Sequence, residues 1–360
     1  MKQKLNKENG ITLVALVVTI VVLLILAGIT IMYTMGENSI FKKAQEAKDK
    51  TENAVKNEQE YMNSIDNMVN EYINGTGNGG GSTSTEPIDE PIENIKSDWA
   101  TIEKIVQEIA KDDTITSETE EVKVVVDGKR YTIKPGDTFE VEYEGETKRV
   151  RVLGFKYDDL VDQTVYGGTH EKASISFEFL DFMTGETYKS MNAENDNTGG
   201  WANTQMRKDL NGYTTNAAAQ SGAIGGLGAN LSNKSYIKQV KKKYIATYNN
   251  AGSVTTCNDY LWLLASSEVV NNGYNGSGTY GYAITSEGSQ YKYYQGVTEA
   301  WNSSSAGRQK RPSASGSTIW WWLRSPHYGN SYNFCYIDGN GISGNYNASY
   351  STGVAPGFSI

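Results

Sequence analysis

The chain has 360 residues, enough for two or three domains, and is rich in Gly (37) and Tyr (24) with only 6 Pro and a net charge of −9. The acidic balance excludes general nucleic-acid binding, which needs a basic face for phosphates. Two cysteines and two histidines are too few for a Cys/His zinc site. The only tight basic clusters, "KQVKKKY" (238–244) and "GRQKRP" (307–312), read as solvated strand or loop.

The N-terminus opens with Lys2, Lys4 and Lys7, and residues 11–35 carry no charge. As a helix those twenty-five residues extend about 37 Å, more than a bilayer core of about 30 Å. The lysines place the N-terminus on the cytoplasmic side of a single span. From Ile40 a three-four stripe continues through Ala44, Ala47, Thr51, Ala54, Glu58, Tyr61, Ile65, Met68 and Tyr72. One long helix is expected, apolar first and amphipathic after. Two readings stand: a plain anchor, or a processed segment.

The stretch "G-ITLVALVVTIVVLLILAGITI" resembles the N-terminal segment of type IV pilins and pseudopilins, in the form common in Gram-positive bacteria. The resemblance covers about the first seventy residues. It implies a leader of residues 1–10, cleavage by prepilin peptidase between Gly10 and Ile11, methylation of Ile11, and a pilin-like helix over 11–74. It also implies other pilin subunits as filament partners. Ala15 stands where pilins usually carry Glu, a departure that bears on polymerisation and not on cleavage.

A linker is expected over 75–96, Gly/Ser/Thr-rich and then acidic with Pro87 and Pro91. Residues 97–118 read as a short helix and connection. Trp99, Ile102, Val106 and Ile109 share one face, and Ser97 is the candidate N-cap. From 119 to 360 strand patterns dominate. "VVVDGKRYTI" and "EYEGETKRVRV" read as hairpins and "KPGD" as a turn. "YLWLLASSEV" (260–269) and "TIWWWLRSP" (318–326) are the most apolar segments. They read as core, with Trp320 and Trp322 buried. The alternative is a sugar-binding aromatic platform.

The ordered blocks "GDTFEVEYEGETKRVRVLGF", "FEFLDFMTGETYKSMNAENDNTGGW", "CNDYLWLLASSEV" and "WWWLRSP…YNFCYIDGNG…GVAPGFSI" resemble a widespread bacterial domain of unknown function. That domain is similar to the C-type-lectin/formylglycine-generating-enzyme fold. The resemblance implies an α+β chain: a long N-terminal membrane helix, a flexible linker, and a C-type-lectin-like mixed α+β domain with strand-rich, irregular structure. Its C-terminal strands would bear a ligand-binding face.

Catalytic signatures are missing. The chain has no GxSxG, no paired His/Glu metal motif and no Walker loop, and His327 with Cys335 is its one Cys/His pair close in sequence. No enzyme, cofactor or metal is expected. "NAENDNTGGW" (192–201) reads as an Asx-rich turn, with calcium on Glu194 and Asp196 the weaker alternative. Cys257 and Cys335 either pair as a disulfide or stay thiols.

The last segment, "HYGNSYNFCYIDGNGISGNYNASY" (327–350), is dominated by Tyr, Asn, Ser and Gly, the mixture antibody loops use for adaptable contact. Residues 325–360 contain no Lys, Glu, Gln, Met or Trp, the residues that codons ending in a pyrimidine cannot encode. This resembles the variable proteins of diversity-generating retroelements, although composition alone also accounts for it. The candidate variable, ligand-binding positions are His327, Tyr328, Asn330, Tyr332, Asn333, Tyr336, Asp338, Asn340, Ser343, Asn345, Tyr346 and Asn347. The expectation is a surface-displayed, adhesin-like protein. Its membrane helix would anchor an extracellular domain that binds an unknown protein or glycan. The alternative is a minor pilin or pseudopilin whose C-terminal domain is structural.

Overall fold

A computed structural model describes Lys48 and residues 86–222, 224–246, 254–270, 287–327 and 329–360. The chain divides into two units, residues 1–84 and 85–360, and all the described residues except Lys48 belong to the second. The expected leader with Gly10 and Ile11, the helix of 11–74 except Lys48, and the first part of the linker lie outside the described residues.

The rest of the expected linker is built into the domain. Strand β1 (Ile88–Asp89) runs parallel to β3 (Lys129–Ile133) and completes a three-stranded sheet with β2 (Val122–Val126). Helix α1 (Trp99–Lys111) starts at Asp98, not Ser97, because the Asp98 carboxylate accepts from the Thr101 amide at 3.1 Å. Its apolar face is buried as the spacing predicts. The Trp99 ring lies 5.6 Å from Phe177 and 5.9 Å from Phe358, and its indole donates to the Glu140 carbonyl.

Two hairpins form where the turn chemistry places them. Asp127 and Gly128, between β2 and β3, both take positive φ, 51° and 77°. Glu144 and Gly145 do the same between β4 (Thr138–Tyr143) and β5 (Glu146–Phe155), at 51° and 84°. Two consecutive left-handed residues give the turn whose twist matches a hairpin. β4 and β5 then join β7 (Ile175–Phe179) and the C-terminal β13 (Gly357–Ser359) in the order β13-β7-β5-β4. A third sheet pairs β6 (Asp159–Leu160), β8 (Val240–Ile245) and β9 (Val254–Asp259). A fourth contains β10 (Trp321–Pro326), β11 (Asn333–Ile337) and β12 (Ser343–Asn347), in that order. Three further short helices are α2 (Gln205–Asn211), α3 (Ser266–Val269) and α4 (Lys292–Gln295).

These elements correct the expected fold class. The described residues form thirteen strands in four sheets and four short α-helices, a strand-rich architecture in place of the expected α+β one, with no long helix among them. No helix among them is long and apolar enough to cross a membrane. The longest, α1, has 13 residues, about 20 Å of helix against a core of about 30 Å. It also carries Glu103, Lys104, Glu108 and Lys111. Against the expected single-pass placement in a membrane stands this finding alone: no helix among the described residues can carry the chain across a bilayer.

Candidate ligand-binding face

The sheet β10-β11-β12 carries the C-terminal segment, and its register sorts the side chains. Trp322 pairs with Tyr336, which pairs with Gly344; Trp321 pairs with Ile337, which pairs with Ser343. Side chains alternate between faces along each strand. Phe334, Tyr336 and Tyr346 therefore share one face, and Asn333, Cys335, Asn345 and Asn347 take the other. The twelve candidate positions do not form one surface.

The aromatic face is built around Trp320. Its ring stacks on Tyr336 at 4.4 Å and 5°. Tyr346 meets it edge-on at 5.7 Å, and Tyr350 lies tilted at 5.9 Å. Tyr346 and Tyr350 touch each other at 4.8 Å in an edge-to-face arrangement. Offset-stacked and edge-to-face geometries are the favourable ones for aromatic quadrupoles. Tyr346 and Tyr350 are exposed, as is Tyr332, while Trp320 and Tyr336 are half-buried. Gly344 makes room for this arrangement. A Cβ there would lie 2.7 Å from the Tyr336 Cζ and hydroxyl oxygen.

This corrects the expectation for Trp320. Trp321, Trp322 and Leu323 are buried, with the Trp322 indole donating to the Lys189 carbonyl at 3.1 Å. Trp320 lies one residue before β10 and belongs to the surface cluster. Sequence reasoning reaches Trp320 only through the alternative of an aromatic platform, and it misses Tyr350. The run of three tryptophans signals core, and Tyr350 joins the cluster only because the chain turns back after β12, its amide donating to the Asn347 carbonyl.

Several predicted site residues are scaffold. The Asp338 carboxylate accepts from the amides of Asn340 and Ile342, both at 2.8 Å, and fixes the β11–β12 turn. The exposed Asn340 is tied to that turn through its carbonyl, which accepts from Ser305. Gly341 has φ +84°, and a Cβ there would stand 2.1 Å from the Ser305 carbonyl oxygen, so only glycine fits. Ser343 and His327 are buried; His327 Nδ1 accepts from the Gly329 amide, and burial pushes its pKa down. Asn330 Oδ1 accepts from the amides of Tyr332 and Asn333. On the opposite face the Asn333 side-chain Nδ2 donates to Asn345 Oδ1 at 2.7 Å. Tyr328 lies outside the described residues.

The Asx-rich turn at 192–201 supports this hairpin. Asn197 donates from its side chain to the carbonyls of Asn330 and Asn333, and from its amide to Ser331. Asn195 Oδ1 accepts from both the amide and hydroxyl of Ser349. Asp196 caps its own turn through the Thr198 amide. No group of three His, Cys, Asp or Glu that could hold a metal occurs among the described residues. Of the two alternatives for the cysteines, the structure holds the thiols: Cys257 and Cys335 are both free and buried, in strands of different sheets.

A second concentration of chemistry lies under a cleft bordered by Lys156, Tyr157, Lys172 and Lys241. There Lys242 donates to Asp158 at 2.5 Å and pairs with Glu268 at 2.9 Å. Arg324 holds Glu268 through two bonds, 2.6 and 2.8 Å. Burial alone would raise the Glu268 pKa, but Arg324 and Lys242 pull it down to about 2. Burial pushes neighbouring Glu287 up to about 7; it accepts from the Ile245 amide and contacts the Ser325 hydroxyl. Elsewhere Arg151 and Lys310 flank buried Glu178. Lys242, Arg308 and Lys310 are therefore not solvated, contrary to expectation for the two basic clusters. Lys242 and Lys310 have buried carboxylate partners, and Arg308 binds four backbone carbonyls. Such closed networks fit buried charges that hold a fold.

Fold and face together define a strand-rich domain whose C-terminal sheet turns a tyrosine–tryptophan cluster to solvent. Residues 177–360, just over half of the chain, match the family described as Domain of unknown function (DUF6273), and the chain belongs to that family. No curated protein and no solved structure matches it.

Proposed function

We propose that this chain is a non-catalytic binding protein whose ligand rests on the aromatic face formed by Trp320, Tyr336, Tyr346 and Tyr350. The observation that carries this is the exposure of Tyr346 and Tyr350 above a packed Trp320–Tyr336 stack. Rigid aromatic surface held by a fixed scaffold loses little entropy on binding. A purely structural filament subunit gives no reason to keep these rings in water. The closed ion networks support a binding role over an enzymatic one, since their carboxylates are already engaged by partners.

The test compares the full chain with a Tyr346→Ala/Tyr350→Ala double variant on arrays of oligosaccharides and peptides. Discrete bound features that disappear with the double variant, while it still unfolds cooperatively and well above the assay temperature, are expected. Retention of every bound feature by the double variant would show that the ligand rests elsewhere.

A further inference from the structure

Accepting that face as the binding surface, we infer that its ligand is a neutral carbohydrate, with a pyranose ring laid against Tyr346 and Tyr350. Three observations carry the choice. The first is charge. Between 325 and 360 the chain has a single carboxylate, Asp338, and no Lys or Arg. Asp338 Oδ1 is taken by the two amides of its own turn. The segment thus offers no cation to clamp a phosphate or carboxylate, and its one anion is already engaged.

The second is ring geometry. Centroid separations of 4.4 to 5.9 Å are ring-on-ring contacts, so the four aromatics fill the space between themselves. A cage for a quaternary ammonium needs several ring faces turned to an open centre within about 6 Å. The cluster is a platform instead. An aromatic face carries partial negative charge and attracts the C–H face of a pyranose, while the tyrosine hydroxyls can bond to sugar hydroxyls at the rim.

The third is size. Tyr332, Tyr346 and Tyr350 are 46%, 42% and 46% exposed. With about 150–250 Å² per aromatic side chain, they offer about 200–350 Å² together. A stable protein partner covers about 800 Å² on each side. The other exposed large hydrophobics among the described residues, Ile88 and Val125, belong to the β1-β3-β2 sheet. The exposed aromatic area matches one or two sugar rings, and it is smaller than the apolar part of a standard protein interface, a little over half of that area.

The experiment is calorimetric titration of the full chain with cellohexaose, xylohexaose, mannohexaose and chitohexaose. Polygalacturonate, tetramethylammonium and a displayed random-peptide library serve as the other arms. At least one neutral hexaose should bind, with an affinity unchanged between low and high salt. Tyr346→Ala and Tyr350→Ala should each weaken it about tenfold, and Tyr346→Phe should stay within a few-fold of the wild type. If Tyr346→Ala fails to fold, Tyr350→Ala and Tyr346→Phe carry the comparison. Salt-screened binding of polygalacturonate in place of the hexaoses would overturn the neutral character of the ligand, and binding of tetramethylammonium in their place would overturn the carbohydrate assignment. So would peptide binding that Tyr350→Ala abolishes, although the face would then stand as a binding surface. Silence from every arm defeats both the assignment and the reading beneath it.

Discussion

Truncating Trp322 and truncating Tyr346 should have opposite consequences, although both rings belong to the same sheet. Trp322 is 1% exposed, and its indole satisfies the Lys189 carbonyl. Trp322→Ala leaves a large cavity and removes one of the two donors to that carbonyl, the Thr352 amide being the other. Large aromatics at such sites cost about 3–5 kcal/mol, and at about 2–4 °C per kcal/mol for a domain of this size the melting temperature falls by about 6–20 °C. Tyr346 already keeps 42% of its surface in water. Its loss removes two edge contacts, to Trp320 and Tyr350, which at about 0.5–1.5 kcal/mol per well-placed aromatic pair cost about 1–3 kcal/mol, below the loss at Trp322. Thermal unfolding of the full chain followed by near-ultraviolet circular dichroism measures both. If Tyr346→Ala destabilises as much as Trp322→Ala, the ring is part of the core and the binding face does not exist as described.

Glu287 supplies a pH test. Its folded pKa of about 7 exceeds the ordinary 4.5, so folding favours the protonated form. That contribution is complete below pH 4.5 and is lost as pH rises through 7, by about 3 kcal/mol at most. Glu287→Gln keeps the acceptor for the Ile245 amide and should flatten stability between pH 4.5 and 7 relative to the wild type; an unchanged slope would refute the assignment. Gly344→Val should displace Tyr336 from Trp320 and weaken hexaose binding while leaving the strand paired, which tryptophan fluorescence and titration will follow; an unaltered spectrum with full binding argues against the close packing at Gly344. Co-expression with a prepilin peptidase should remove residues 1–10 and leave Ile11 first, and intact mass showing Met1 in an active host would rule this out.

The parts of the fold legible in the sequence are those fixed locally. Asp127-Gly128 and Glu144-Gly145 set their hairpins through two positive φ values, and the apolar spacing from Trp99 to Ile109 sets the buried face of α1. Contacts distant along the chain are not legible. Lys310 reads as a surface lysine until Glu178, 132 residues away, becomes its partner. Lys242 is likewise claimed by Asp158 across 84 residues.

The site is legible in composition and not in arrangement. The Tyr/Asn-rich segment does carry the exposed rings. Alternation, however, divides it between two faces, and the turn at 338–342 uses Asp338 and Gly341 for its own geometry. Trp320 reads as core because three adjacent tryptophans hide where the strand begins. β10 starts at Trp321, which leaves Trp320 at the sheet's margin, against Tyr336.

The most direct test of where a ligand sits is hydroxyl-radical footprinting of the full chain with and without the hexaose that binds best, read residue by residue by mass spectrometry. Protection of Tyr346 and Tyr350 is expected, with Tyr157 at the cleft unchanged. Protection at Tyr157 with none at Tyr346 or Tyr350 would contradict the aromatic face as the binding surface.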